Sequence, residues 1–293
     1  GADPAEFTCR AQRDGDEWVI NGEKWFASHA RFAEFLLVMV VTNPDRKIHE
    51  GASILLVEKG TPGFEILRNA AVGPYIERGD GVHGYLRFTD CRVPSSNLLG
   101  EEGKGFLVAQ TRLGGGRVHH AMRSVGVLKK ALDMMCERVL SRTTKGELLA
   151  NKQLTQEKIA DTYTQILQYR LHVLYTAWLI DKYKEYNREV RKEIAAIKAA
   201  TPKILQEVIY HAMHLHGSLG MSDEVPFMTM WANKPELGVV DGPTEVHKVT
   251  VARSVLRDYA PANDLFPTYH IPAQYEAAMK KYGHFLDSKE SDG

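Results

Sequence analysis

The chain of 293 residues has 37 basic and 37 acidic side chains, 44% apolar residues and 25% charged residues. This is the balance of an ordinary globular protein, with no basic field to draw nucleic acid or an anionic membrane, and no apolar run long enough to span a bilayer. Cys9, Cys91 and Cys136 are far apart and odd in number, which points to a reduced compartment and away from a cysteine-built zinc site.

In chain order, the first hundred residues read as β. Gly1-Ala2-Asp3-Pro4 enters a strand pattern almost at once, so an upstream segment is expected. Phe7 to Ala11 precedes a turn at Asp14-Gly15, and Trp18-Val19-Ile20 runs into Asn21-Gly22 and then Lys24-Trp25-Phe26. Asn-Gly between two apolar runs predicts a hairpin. Phe35 to Val41 is continuously apolar, as suits a strand buried on both faces, and Ser53 to Val57 and Val82 to Phe88 are two more strands. Short strands with regular turns predict a small barrel or sandwich.

From Gly105 the period becomes helical. Leu167, Leu171, Leu174 and Trp178 form one stripe. Ile194, Ile197, Ile204, Val208 and Leu215 form another, with Pro202 inside it. Such stripes suit helices packed in a bundle, and Pro202 is expected to kink its helix or begin a new one. Tyr275 to Phe285 is amphipathic, and 288–293 reads as frayed. Two domains are expected: an all-β module over residues 1–101 and an antiparallel helical bundle over 102–293. The fold class is α+β multidomain.

Late in the chain lies Val239-Val240-Asp241-Gly242-Pro243-Thr244-Glu245-Val246-His247-Lys248. An acid before a Gly-Pro turn, with a Thr opening a helix, suggests a placed carboxylate beside free helix N–H groups. The same residues also make an ordinary helix start with Asp241 on the surface, because Asp before Gly-Pro is common turn chemistry. His211, His214 and His216 have the look of metal ligands, but no partner carboxylate stands at motif spacing, so no metal site is expected.

Together these stretches resemble the acyl-CoA dehydrogenase family of flavoproteins, through its middle β-domain and C-terminal helical domain, up to about Pro261. The carriers are Asn21-Gly22-Glu23-Lys24-Trp25-Phe26-Ala27-Ser28, Val93 to Gly100 followed by Gly103-Lys104-Gly105-Phe106, Gly116-Arg117 with Gly126, His214 to Gly220, and Asp241-Gly242. Each motif is weak alone; five in order at compatible spacing are specific. Leu113 to Arg123 and the Asp-Gly-Pro-x-Glu-Val-His stretch are most similar to the subgroup of family members 10 and 11, in which Asp replaces the family's usual Glu base. The family's N-terminal helical domain and its "TEP" flavin loop are absent from the sequence, Ala2 stands where a Ser is usual, and residues 76–84 lack the usual "RxSxT".

The resemblance implies FAD as cofactor, a fatty acyl-CoA thioester as substrate and an electron-transfer flavoprotein as acceptor, in fatty acid β-oxidation. It also implies a homodimer or homotetramer. Asp241 would take the α-proton while the β-hydride goes to flavin N5, and burial against flavin and acyl chain would raise its pKa. Phe26, Ala27 and Ser28 would meet the isoalloxazine, although Phe26 could equally be barrel core. Arg142, beside Thr144, would contact the diphosphate across a subunit interface, or simply be a helix-end cation. Gly217 and Ser218 would approach the ADP part, Pro243, Thr244 and Glu245 the adenosine end, and His214 stands in place of the family's Gln, which hydrogen-bonds to the flavin region. Arg117 would lie under the base near the acyl pocket, with Gly242 beside the substrate; a bundle salt bridge is the other reading of Arg117. Two other functions fit the residues: a nitroalkane-oxidase-like flavoenzyme, whose base is also Asp, and a flavin- or acyl-CoA-binding protein without turnover.

Overall fold

The computed structural model describes residues 3–73, 81–232, 234–262 and 265–287. Ala2, residues 74–80 and the tail 288–293 lie outside them. Six strands come first: β1 (Arg10–Asp14), β2 (Glu17–Ser28), β3 (Phe35–Val41), β4 (Ala52–Glu58), β5 (Phe64–Ala70) and β6 (His83–Pro94), with a short helix α1 (Ile48–Gly51) before β4. They form one sheet in the order β4-β3-β1-β2-β6-β5, antiparallel except where β1 meets β3. The β module is therefore an open mixed sheet. β4 and β5 are its edges among the described residues, and the expected closure into a barrel is not made. Trp18, Ile20, Val38, Val40, Leu55, Leu86 and Phe88 fill its core.

Two strand readings need correction. Asn21-Gly22 is not a hairpin turn but lies inside β2, at a register shift against β6. There Asn21 Nδ2 donates to Asp90 Oδ1 at 3.1 Å, and the Asp90 N–H donates to Asn21 Oδ1 at 2.8 Å. Gly22 has φ 129°, and a Cβ on it would lie 2.7 Å from Cys9 Cα. Glycine is required here by a bulge and a close backbone approach, which select the same residue as a turn does. The second correction concerns β3. It is buried only from Val38 onward; Phe35 and Leu37 are exposed.

The sheet passes into the bundle through Ser53, which is fully buried. Its hydroxyl accepts from the Gly103 N–H at 2.9 Å and pairs with Thr42 Oγ1 at 2.8 Å. The helical part holds α2 (Gly105–Ser141), the two-residue strands β7 (Thr143–Thr144) and β8 (Glu147–Leu148), α3 (Gln153–Tyr183), α4 (Arg188–His216), α5 (Phe227–Ala232), α6 (Lys234–Leu237) and α7 (Thr244–Leu256). α2 buries Gly114, Val118, Ala121, Leu128, Ala131, Met135 and Val139, a stripe at helical spacing. Its N-terminal half meets Tyr186, just before α4, and Arg138 near its C-terminus donates to His216 O at 3.5 Å. α2 and α4 thus run the same way, with α3 antiparallel between them: His172 of α3 bonds Glu193 of α4, and Thr162 bonds His211.

The α4 stripe faces the core as read. Pro202 does not end that helix, which runs unbroken from Arg188 to His216. Nearby, the hydroxyls of Thr201 and Tyr169 both donate to Ile197 O, at 2.8 and 3.5 Å. The α3 stripe is a different matter. Leu167, Leu171, Leu174 and Trp178 are exposed, and the buried face is Thr162, Ile166, Tyr169, Val173, Thr176 and Leu179. The polar members of the buried face disguised it, while the more apolar stripe points outward. The chain divides into two compact units, residues 1–251 and 252–293. In the second, α8 (Ile271–Tyr282) and α9 (His284–Asp287) follow, and α8 buries no residue.

Candidate active site

Asp241 and Gly242 turn the chain between α6 and α7, with φ 54° and 101°. Asp is one of the few non-glycine residues that adopt the left-handed region without severe cost. A Cβ on Gly242 would lie 3.0 Å from His247 Nε2, so the turn closes on that ring. Two side chains hold the Asp241 carbonyl. Arg117 Nε donates to it at 2.9 Å, and His247 Nε2 lies 3.2 Å away. Arg117 also reaches the Tyr186 hydroxyl at 3.4 Å. Arg117 therefore sits under the acid as a backbone anchor rather than as a bundle salt bridge.

The carboxylate faces α2, not the free N–H groups of α7. His120 Nε2 lies 3.1 Å from Oδ2, and Arg112 approaches Oδ1 at 4.0 Å. A Cβ on Gly116 would lie 3.0 Å from Oδ2, so the glycine lets the acid come this close. The Asp241 side chain is 13% exposed, and Oδ2 is buried without an aligned hydrogen bond despite its neighbour. The His120 ring holds the carboxyl below the ordinary carboxylate range, and burial opposes it without winning. In the free protein the direction is thus opposite to the raised value expected for a base desolvated by flavin and substrate.

Two further buried groups face this acid. Lys198 of α4 is fully buried and donates to Leu237 O; burial pushes its ammonium down and the charge of Asp241 pushes it back up. His247 is buried too, and burial lowers its pKa against the hydrogen bond its ring donates to the Asp241 carbonyl. A cavity of 410 Å³ lies behind His120, lined by Arg123, Ser124, Val127, Leu205 and Met230 among others. His120 and His247 lie within stretches singled out in the sequence but are given no role there, and Lys198 is not singled out. Gly116 and His120 are four apart on α2 and so share a face, a signal that could have found the histidine. Nothing local marks Lys198.

The other expected residues fall in two more places. Phe26 is 56% exposed, so it is not core. Its φ is 57°, at a register shift of β2 on β6, and its ring stacks on Trp25 at 5.1 Å and 13°. Arg68 lies over Trp25 and Tyr85, at 4.9 and 4.7 Å. Ala27 is half-buried, and Ser28 Oγ shares a 2.9 Å hydrogen bond with His83 Nδ1. Arg142 caps the C-terminus of α2, and Thr144 lies in β7 just beyond it. His214 is exposed and packs on Tyr210 at 4.2 Å; Gly217 has φ 64° with nothing within 4 Å of a Cβ, and Ser218 is exposed. His216 is buried, its Nδ1 donating to Ala212 O at 2.8 Å, while His214 is exposed. Thr244 begins α7 with its hydroxyl donated back to Gly238 O at 3.3 Å, leaving Pro243 half-buried and Glu245 exposed beside the acid.

The structure thus joins Asp241, Gly242, Arg117, Pro243, Thr244 and Glu245 at one level of the bundle. It sets Arg142, Thr144, His214, Gly217 and Ser218 at the end where Arg138 meets His216. Gly116 and Arg138 mark the two levels, roughly 33 Å apart along α2 at about 1.5 Å per residue.

The family model of the acyl-CoA dehydrogenase middle domain matches residues 1–91, and that of the acyl-CoA dehydrogenase C-terminal domain matches 103–256. The chain is 39% identical over 259 residues to the Mycobacterium tuberculosis protein named "Probable acyl-CoA dehydrogenase FadE2", covering 87% of this chain and 62% of that protein. It is 38% identical to acyl-CoA dehydrogenase family member 11 of Gallus gallus, covering 88% of this chain and 33% of that one. Among solved structures, butyryl-CoA dehydrogenase from Megasphaera elsdenii superposes with a TM-score of 0.78 at 27% identity, covering 88% of this chain and 65% of the other. The chain therefore spans less than two thirds of the length of these relatives. By both family matches, it belongs to the acyl-CoA dehydrogenase family.

Proposed function

We propose that the protein is a flavin oxidoreductase that desaturates fatty acyl-CoA thioesters between Cα and Cβ, in fatty acid β-oxidation, with Asp241 as base. The observation that carries this reading is the Asp241 carboxylate: largely buried, its backbone clamped by Arg117, and one oxygen left without an aligned partner. A surface acid at a turn would need none of these. FAD, when bound, would accept the β-hydrogen as hydride while the α-proton leaves to a base.

The residues fit that cofactor. Phe26 and Trp25 present a flat, exposed aromatic surface, and Ser28 supplies a hydroxyl beside them. An aromatic residue at positive φ is strained by roughly 1–3 kcal/mol, a cost that clusters at functional sites. Gly217 leaves open space at a positive φ, as close approach of a phosphate requires. Within this reading Arg117 sets the height of Asp241, Gly116 gives it room, and Gly242 keeps a side chain away from the reacting thioester. Arg142, Thr144, Gly217 and Ser218 would hold the diphosphate and ADP parts, His214 the flavin region, and Pro243, Thr244 and Glu245 the adenosine end.

Anaerobic titration of the FAD-loaded protein with acyl-CoAs of graded length, followed by absorbance, tests the reading. Bleaching by one chain length is expected, with the electrons then passed to an electron-transfer flavoprotein. Bleaching by nitroalkanes alone would replace the reading with the oxidase, and tight acyl-CoA binding without bleaching would replace it with a binding protein.

The partner we propose is a second copy of this chain. The Pro243–Glu245 turn and the Arg142–Gly217 end lie at levels roughly 33 Å apart along α2, too far for one compact site, so a cofactor that used one copy's turn would need the Arg142–Gly217 end of another. The exposed stripe Leu167, Leu171, Leu174 and Trp178 offers an apolar face for such contact. Light scattering behind size exclusion should give a dimer or tetramer, and Leu171→Glu with Trp178→Glu should reduce its mass. A monomeric parent protein would end this proposal.

A further inference from the structure

Beyond the base itself, the geometry around His120 carries a role for two residues of α2. Arg123 Nη2 lies 2.9 Å from His120 Nδ1. A guanidinium can only donate, so Nδ1 accepts, and the ring proton lies on the other nitrogen. That nitrogen, Nε2, stands 3.1 Å from Asp241 Oδ2, the buried oxygen without an aligned hydrogen bond. A small turn of the ring completes the donation, as when a catalytic hydrogen bond tightens on substrate binding. With Oδ2 buried, the exposure left to the side chain lies elsewhere, and Oδ1 has Arg112 at 4.0 Å as its ion-pair partner among the described residues.

We propose that Arg123 fixes His120 as its Nε2–H tautomer, and that His120 is thereby a positioning residue which ties down Oδ2 of Asp241 and presents Oδ1 to the α-hydrogen of the substrate. The inference rests on Asp241 being the base. A histidine free to carry its proton on Nδ1 would turn a lone pair toward the carboxylate and repel it, so Arg123 sets the sign of the contact. Other charged groups face the pair from every side. Arg112 and Arg117 come from α2, Lys198 from α4 and His247 from α7, and Glu236 of α6 lines the cavity that His120 and Arg123 share. None of these is placed to accept or donate at Nδ1 as Arg123 is.

The test uses long-range proton–nitrogen NMR of the full chain with nitrogen-labelled histidine, the His120 signal assigned by its loss in His120→Gln. An Nε2–H tautomer is expected in the parent protein, giving way to a mixture in Arg123→Ala. In turnover, His120→Leu should lower kcat by about 10- to 100-fold, the scale of a misplaced reacting group, with KM almost unmoved. His120→Gln, whose amide N–H can reach Oδ2, should recover most of that loss. An Nδ1–H tautomer in the parent, or equal losses in Leu and Gln variants with KM rising in step, would overturn the inference. A parent-like rate in Asp241→Asn would sink the base reading and this role with it. An Nδ1–H tautomer alongside an inactive Asp241→Asn would sink this inference alone.

Discussion

Asp241→Asn should lower the rate at which acyl-CoA reduces the FAD-loaded protein by roughly a thousandfold, within the range that a positioned general base contributes. The substitution is nearly isosteric, and Asn adopts the left-handed backbone of this turn as readily as Asp. Arg117 and His247 hold the backbone carbonyl, which the change does not touch. Folding stability should therefore move by no more than about 1 kcal/mol, and stopped-flow absorbance beside chemical denaturation separates the two effects. The pH profile follows from the same site. The neighbouring His120 depresses the Asp241 pKa, so the carboxylate is ionised at and above its ordinary value of about 3.9 and is lost as pH falls through the lower folded value. kcat/KM should show no acid limb belonging to Asp241 above about pH 4. A limb near neutrality that vanishes in Asp241→Asn would show that the free protein raises this pKa instead.

The largest effect on stability is expected at Gly105→Val. Gly105 opens α2 where the bundle meets β4. A Cβ there would lie 2.6 Å from the carbonyl carbon of Ser53, 2.8 Å from its Cα and 2.9 Å from the Ile54 nitrogen. Those are backbone atoms of β4 at two buried residues, so they cannot rotate away as a side-chain tip can. The strand must shift, and with it the buried Ser53 hydroxyl that binds the Gly103 N–H. A loss of about 3 kcal/mol, the upper part of the overpacking range, is expected in urea denaturation. Gly126→Ala on the same helix is the control. A Cβ there meets nothing within 4 Å, and the change should stabilise by up to about 1 kcal/mol, since glycine is a poor helix former. Equal losses at the two positions would mean that the crowding at Gly105 is not what constrains α2.

What the sequence made legible follows from which signals are local. Strand and helix were readable because periods of about two and 3.6 residues are properties of the chain itself, and α4 shows its buried stripe plainly. Asn21-Gly22 misled because a bulge and a turn ask for the same glycine, and only the pairing of Asn21 with Asp90 across the sheet tells them apart. α3 misled in another way: its core face mixes Thr162 and Thr176 with Ile166, while its outward stripe is richer in leucine. Hydrophobicity alone then selects the wrong side.

The candidate site divides along the same line. Asp241-Gly242 was visible as a turn at a helix start, and Arg117 as a charge on a helix. That the carboxylate faces Gly116 and His120, over a hundred residues earlier, depends on how α2 lies against the turn. Lys198 shows the same limit. In sequence it is one lysine on an amphipathic helix; in the fold it is fully buried and holds Leu237 O near the turn. In the free protein the acid's pKa is lowered for the same reason, since the decisive neighbour, His120, is nonlocal; the rise expected from flavin and acyl chain belongs to the loaded site.

The most direct measurement of the central claim is hydrogen exchange at the α-carbon of a 3-thia acyl-CoA, which can lose its α-proton but has no β-hydride to give. The FAD-loaded protein would be incubated with it in deuterium oxide and the thioester weighed by mass spectrometry. Deuterium uptake by the parent protein and none by Asp241→Asn is the result that places the proton on Asp241. Equal uptake by both proteins would assign the base to another residue, and the account of this site would be wrong.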